Sequence, residues 1–192
     1  MKRTTVVSSA LFAAWAVHDM EELLTMPGCS RQLLAHLPEA RAIPEQLRRE
    51  GLSHRHVRVA ISLMGVMMAL AATEGVRTDA RSPLFQTVLA WFGWHGVGHL
   101  ATSALTGRYT SGVLTSPVIV LPYWLWARRE LTAAGVELRR IDPRLLPAMY
   151  PLFIGVQLLA HRLTAADSSG ERRSTRRRPA TWLTTRPSRA IS

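Results

Sequence analysis

The stretch 117-PVIVLPYWLW-126 decides how this chain folds. As a helix it offers no polar face to water, and Tyr123, Trp124 and Trp126 crowd one end as aromatic side chains do at a membrane interface. Pro117 and Pro122 each remove a donor from the helix ladder, so the segment is expected to kink or to lie partly in a protein-lined cavity. A water-soluble helical bundle is the competing fold, because polar residues enter several other apolar segments and the mean hydropathy is near neutral. The 117–126 run speaks for a bilayer.

Outward from that run, four more stretches are candidates, a span needing about 17 to 25 largely apolar residues. The first is 5–24, whose apolar half gives way abruptly to acids, and the second is 57–74, containing VAISLMGVMMALAA. The third is 84–106, LFQTVLAWFGWHGVGHLATSALT. The opening run extends to 112–128 as the fourth, and 148–163, AMYPLFIGVQLLAHRL, is the fifth; both are short. The expected fold is all-α, a polytopic membrane helical bundle of about five transmembrane helices over residues 1–165. A basic flexible tail is expected over 166–192.

The 192 residues carry 24 Lys+Arg against 13 Asp+Glu, a net charge of +11, which excludes an acidic protein or a mainly disordered acidic segment. Arg172, Arg173, Arg176, Arg177 and Arg178 crowd the tail. No finger, helix-turn-helix or RNA-binding pattern organises them, so membrane lipids are the expected partner and no specific nucleic acid is. Counting basic residues on alternate sides of five spans favours the N terminus outside and the C terminus inside, although Arg128, Arg129, Arg139, Arg140 and Arg144 then fall on the disfavoured side. Lys2, Arg3 and the apolar run to Ala14-Trp15-Ala16 imitate a signal peptide. Cleavage there would leave His18 and the acids at the new terminus of a still apolar chain, so a retained first helix is expected.

Between the apolar stretches, 28–56 holds two short helical possibilities, Ser30–Leu37 and Pro44–Arg58, and 135–147 reads as an interfacial loop. Cys29 is the one cysteine, which excludes an intramolecular disulfide and a Cys-x-x-Cys metal site. Neither a Walker A loop nor a Rossmann glycine pattern is present.

The chemistry concentrates in two places. In 18-HDMEE, a helix puts His18, Glu21 and Glu22 at i, i+3 and i+4 on one surface, while Asp19 projects elsewhere. In 91-WFGWHGVGHLATS, His95 and His99 are four residues apart and Ser103 continues their face; Gly93, Gly96 and Gly98 imply close helix approach. Each has an ordinary reading, a solvated helix end for the first and a packed histidine pair bonded to carbonyls for the second. An ionisable group inside a membrane segment needs compensation, however, and a metal ion or a connected polar network supplies it. His18, one of Glu21 or Glu22, and His99 suit one divalent transition metal, zinc or iron, with His95 as a fourth ligand or an orienting group. The remaining glutamate is then a candidate general base. Seven histidines are lean for a histidine-rich pair of irons. Tyr109 reads either as a headgroup anchor or as a catalytic hydroxyl; His54, His56, Glu74 and His161 are weaker candidates.

The chain resembles the HXXEE family of bacterial integral membrane proteins, whose function is uncharacterised. His18, Glu21 and Glu22 match its first motif, His99 looks like its additional histidine, and 108-RYTSG-112 is similar to its YxPG motif with Ser111 in place of proline. The resemblance covers roughly residues 10–125 and implies a multi-pass protein of the bacterial cell membrane, with attention to His18, Glu21, Glu22 and His99. The expected function is a metal-dependent membrane enzyme acting on a small apolar or lipid-like substrate. Metal-activated water would hydrolyse it, with Glu21 and Tyr109 as catalytic residues, or non-haem iron would oxidise it with an electron donor from outside the chain. The alternative is a metal-binding transporter or adaptor without catalysis.

Overall fold

The structure is a computed structural model and describes residues 2–36, 45–139 and 154–164. The tail expected over 166–192, the turn before Glu45, the first part of the fifth candidate stretch and most of the 135–147 connection lie outside the described residues. Among the described residues every regular element is helical. They are α1 (Arg3–His36), α2 (Glu45–Glu50), α3 (His54–Arg77), α4 (Pro83–Thr106), a π-helical turn (Ser116–Val120) running straight into α5 (Leu121–Ala133), and α6 over 154–164.

Local chemistry sets these limits. α1 does not stop at Leu24 but continues through Pro27 and Gly28, so the first helical possibility of the 28–56 connection is its last two turns. Gly51, at φ +70°, breaks the second possibility into α2 and the start of α3, and the Ser53 hydroxyl caps α3 by accepting from His56 N at 3.1 Å. Pro83 opens α4, and Gly107 closes it in the left-handed conformation. Pro122 has no N–H for the carbonyl four residues back, and the turn before it widens, so that Leu121 N reaches Ser116 O. Where the two prolines are expected to interrupt the helix ladder, the structure has this π turn.

Four of these elements form an antiparallel ring, α1 against α3, α3 against α4, α4 against α5 with its π turn, and α5 back against α1. The register is read from small residues under large ones. A Cβ on Gly65 would come 2.7 Å from the Trp15 ring, and one on Gly75 would strike both Phe85 and the Ser8 hydroxyl. Gly93 lies under Trp124 and Gly96 under Val120, the close approach expected of them, whereas Gly98 faces open space. Tyr123 donates to Val7 O at 2.9 Å, and α6 attaches through Gln157, whose side-chain oxygen is 2.6 Å from His56 Nε2. Leu11, Met68, Phe85 and Phe92 fill the middle and are fully buried.

Among the described residues, α3 is the one helix long and apolar enough to cross a membrane. α1 carries Asp19, Glu21 and Glu22 at mid-length, α4 is diluted by Gln86, His95 and His99, and α5 has 13 residues. Of the about five spans expected, one helix among the described residues qualifies by length and composition. Large apolar side chains nevertheless face outward on all four ring helices, among them Leu24, Val66, Leu105 and Leu125.

Candidate metal centre

The two histidine-bearing stretches meet inside the ring. His18 is fully buried on the α1 face that looks into the bundle, and Glu22, one turn on, is 5% exposed. His95 and His99 come from α4, again one turn apart. One possible ligand atom from each of these four residues lies within 4.8 Å of the other three, so the group can hold a single metal ion. Glu22 Oε1 is the hub: His99 Nε2 is 3.1 Å from it, His95 Nε2 3.9 Å and His18 Nε2 4.0 Å, while His95 Nε2 and His99 Nε2 are 2.8 Å apart. Four ligands tetrahedrally placed at the usual zinc distances would be about 3.3 Å from one another; the observed separations bracket that value.

A polar cluster satisfied by its own hydrogen bonds would look different. Among the described residues, His18 Nε2 and Glu22 Oε1 are buried and make no hydrogen bond of ordinary geometry, although His99 Nε2 stands 3.1 Å from the carboxylate oxygen. Orphaned buried polar atoms are costly. Here two of them face each other among further nitrogens. Three imidazoles and a carboxylate suit zinc or iron.

The network behind His18 assigns its tautomer. Glu21 points away from the group, toward the segment between α4 and the π turn, and accepts from Tyr109 OH, Leu114 N (3.2 Å), Thr115 N (2.8 Å) and Thr115 Oγ1 (2.6 Å). Those donors occupy both carboxylate oxygens. The single hydroxyl hydrogen of Thr115 goes to Glu21, so at the 2.7 Å contact between His18 Nδ1 and Thr115 Oγ1 the ring is the donor. His18 Nε2 then presents its lone pair to Glu22, His95 and His99. Such outer hydrogen bonds typically fix the orientation of metal-binding histidines.

Gly112 makes the approach possible. Its φ is +81°, and a Cβ there would fall 2.8 Å from the His99 ring and 2.9 Å from that of His18. Backbone conformation and space both demand glycine. Ser111, where the family motif has proline, bonds the Thr25 hydroxyl at 2.8 Å and so ties the segment to α1.

The residues read from sequence divide cleanly. His18, Glu22, His95 and His99 come together, and of the two glutamates it is Glu22 that joins them. Glu21 and Tyr109 bond each other beside the group; burial and the Glu21 carboxylate push the Tyr109 phenol up to about 12, which keeps it a donor at neutral pH. Asp19 is buried but outside the group. Ser103 donates to Arg108 O at the end of α4 instead of orienting a ligand. Glu74 pairs with Arg77, and His56 stands beside His161 and Gln157. Sequence reading missed Thr115 and the demand on Gly112. The hydroxyl-rich run 109-YTSGVLTS-116 was the available signal for both.

These features define an all-helical protein with an internal His₃Glu cluster. A family model described as proteins of unknown function with an HXXEE motif matches residues 9–127, and the chain belongs to that family. His18, Glu21 and Glu22 are the motif. No curated protein and no solved structure matches the chain significantly.

Proposed function

We propose that this protein is a multi-pass membrane enzyme that holds one divalent transition ion, zinc or iron, at His18, Glu22, His95 and His99 and acts on a small apolar or lipid-like substrate. The observation that carries the reading is the convergence of four ligand atoms within 4.8 Å, two of them buried and otherwise unpartnered. Membrane placement is supported by α4, which has no Asp, Glu, Lys or Arg in 24 residues, by the uncharged run 109–127, and by the outward apolar side chains of the ring. We favour the N terminus outside, which leaves the basic tail for the anionic inner surface.

Zinc would supply Lewis acidity for hydrolysis, whereas iron would supply redox chemistry and need an external electron donor. The chain's residues have separable tasks. Thr115 and Glu21 hold the His18 ring in the tautomer that presents Nε2, and Tyr109 completes the Glu21 shell. With both of its oxygens engaged, Glu21 acts in this account as a positioning residue. A metal-binding transporter or adaptor uses the same cluster without catalysis. Metal analysis of protein purified under metal-preserving conditions tests the ion: one zinc or one iron per chain is expected, and metal-free protein that also fails to reload would defeat the reading. Ion flux in proteoliposomes, with no turnover of lipid-like esters or hydrocarbons, would move the assignment to transport.

A further inference from the structure

A second concave feature opens at the end of the bundle where α1 runs on past Glu22. It is a cleft of about 750 Å³ between the last turns of α1, the α2–α3 turn and Tyr109. Small-molecule sites typically span about 300–1,000 Å³. Leu24, Pro27 and Leu52 give the cleft an apolar wall, and Arg31 and His54 give it cationic and hydrogen-bonding capacity. Leu24 is 75% exposed although it sits only two residues beyond a buried carboxylate.

The cleft is built, not a gap between loose ends. Leu52 N donates to Ser30 Oγ at 2.9 Å, and Gly51 packs so tightly on α1 that a Cβ would lie 2.7 Å from Arg31 N. The α2–α3 turn is thereby pinned beside Arg31, with His54 following at the start of α3. Arg31 makes no ion pair among the described residues, and Glu50 is the one acid among the lining residues. Tyr109 lines the cleft and donates to Glu21, so the cleft abuts the network that holds His18.

We infer that this cleft binds an amphiphile with a phosphate headgroup, the phosphate against Arg31 and His54 and the hydrocarbon along Leu24, Pro27 and Leu52. A guanidinium fork matches phosphate oxygens, and the adjacent aliphatic wall matches a tail that a free anion lacks. The inference rests on the proposed reading of a membrane enzyme with lipid-like substrates and names the chemistry of their headgroup.

Isothermal titration calorimetry of the full chain in non-ionic detergent tests it, with dioctanoyl phosphatidic acid, inorganic phosphate and dioctanoylglycerol as probes. Phosphatidic acid should bind saturably, one per chain, and at least about tenfold more tightly than either fragment. Arg31→Gln should weaken it by about tenfold or more, Arg31→Lys by less, and Arg81→Gln at the opposite end of the bundle not at all. His99→Ala, which removes a proposed metal ligand, should leave this binding intact, so failure of the metal centre and failure of the cleft are read separately. Equal affinity for inorganic phosphate, no saturable binding, or wild-type affinity in helical, monodisperse Arg31→Gln protein would each overturn the inference.

Discussion

Two regions of the molecule gather histidines, and they end differently. At the α1–α4 contact, His18, His95 and His99 surround Glu22, and buried nitrogen and oxygen atoms face one another without partners. At the α3–α6 contact, His56 and His161 stand 6.4 Å apart by ring centroids, and the Gln157 amide oxygen meets His56 at 2.6 Å. In the second group the buried His56 ring has its partner. The first gathers three or more ligand-type side chains, which no other group among the described residues does. What separates the candidate metal centre from the other histidine group is thus a shared carboxylate and buried atoms without hydrogen-bond partners.

The largest expected effect breaks this contrast at its strongest point. His18→Ala should reduce metal content from one ion per chain to near none, whereas His56→Ala should keep full stoichiometry by mass spectrometric metal analysis. Equal loss in both variants would mean that the two regions are not distinct. Next, Thr115→Val removes the acceptor for His18 Nδ1 and a donor to Glu21; a loss of about 10- to 100-fold in metal affinity by chelator competition is expected, with Thr115→Ser restoring most of it. Unchanged affinity in Thr115→Val would remove the tautomer argument.

Gly112→Ala imposes left-handed backbone on a residue with a Cβ, at about 1–2 kcal/mol, in addition to the collision with two rings. Reduced thermal stability and weakened metal binding together are the expected result. The smallest effect lies at the far end of the ring, where Lys2 holds the exposed Asp79 carboxyl below its usual range with help from Thr4. A depressed carboxylate contributes stability above its unfolded pKa and loses it as pH falls through the folded value. Asp79→Asn should thus remove a slight acid-side loss of stability in pH-dependent melting and leave metal content untouched.

Much of the centre was legible because it obeys helix periodicity. His18 and Glu22 are one turn apart on one helix, as are His95 and His99 on another, so four of six nominated residues could be placed on two inward faces before any fold was known. The choice between Glu21 and Glu22 was not legible. Both sit on the same side of α1, and what separates them is a set of donors from Tyr109, Leu114 and Thr115, more than 85 residues away in sequence. Gly112 opens the 112–128 stretch in the sequence, but its closeness to two rings is a tertiary fact. In the fold, the sequence separates 5–24 from a short helix at Ser30–Leu37, whereas α1 runs through Pro27 and Gly28 without a break, and Gly51 breaks the charged 44–58 stretch that reads as one helix. Pro122 reads as a disturbance of the helix from sequence alone, and its form in the structure is a widened π turn.

The central claim is that Glu22 binds the ion and Glu21 holds its surroundings. Metal content of Glu22→Gln and Glu21→Gln proteins, purified side by side and reloaded with zinc and with iron, tests it most directly. The account predicts that Glu22→Gln binds less than a tenth of an ion per chain under conditions that saturate the wild type, while Glu21→Gln still fills at roughly 10- to 100-fold lower affinity. Full occupancy in Glu22→Gln, or complete loss confined to Glu21→Gln, would contradict it.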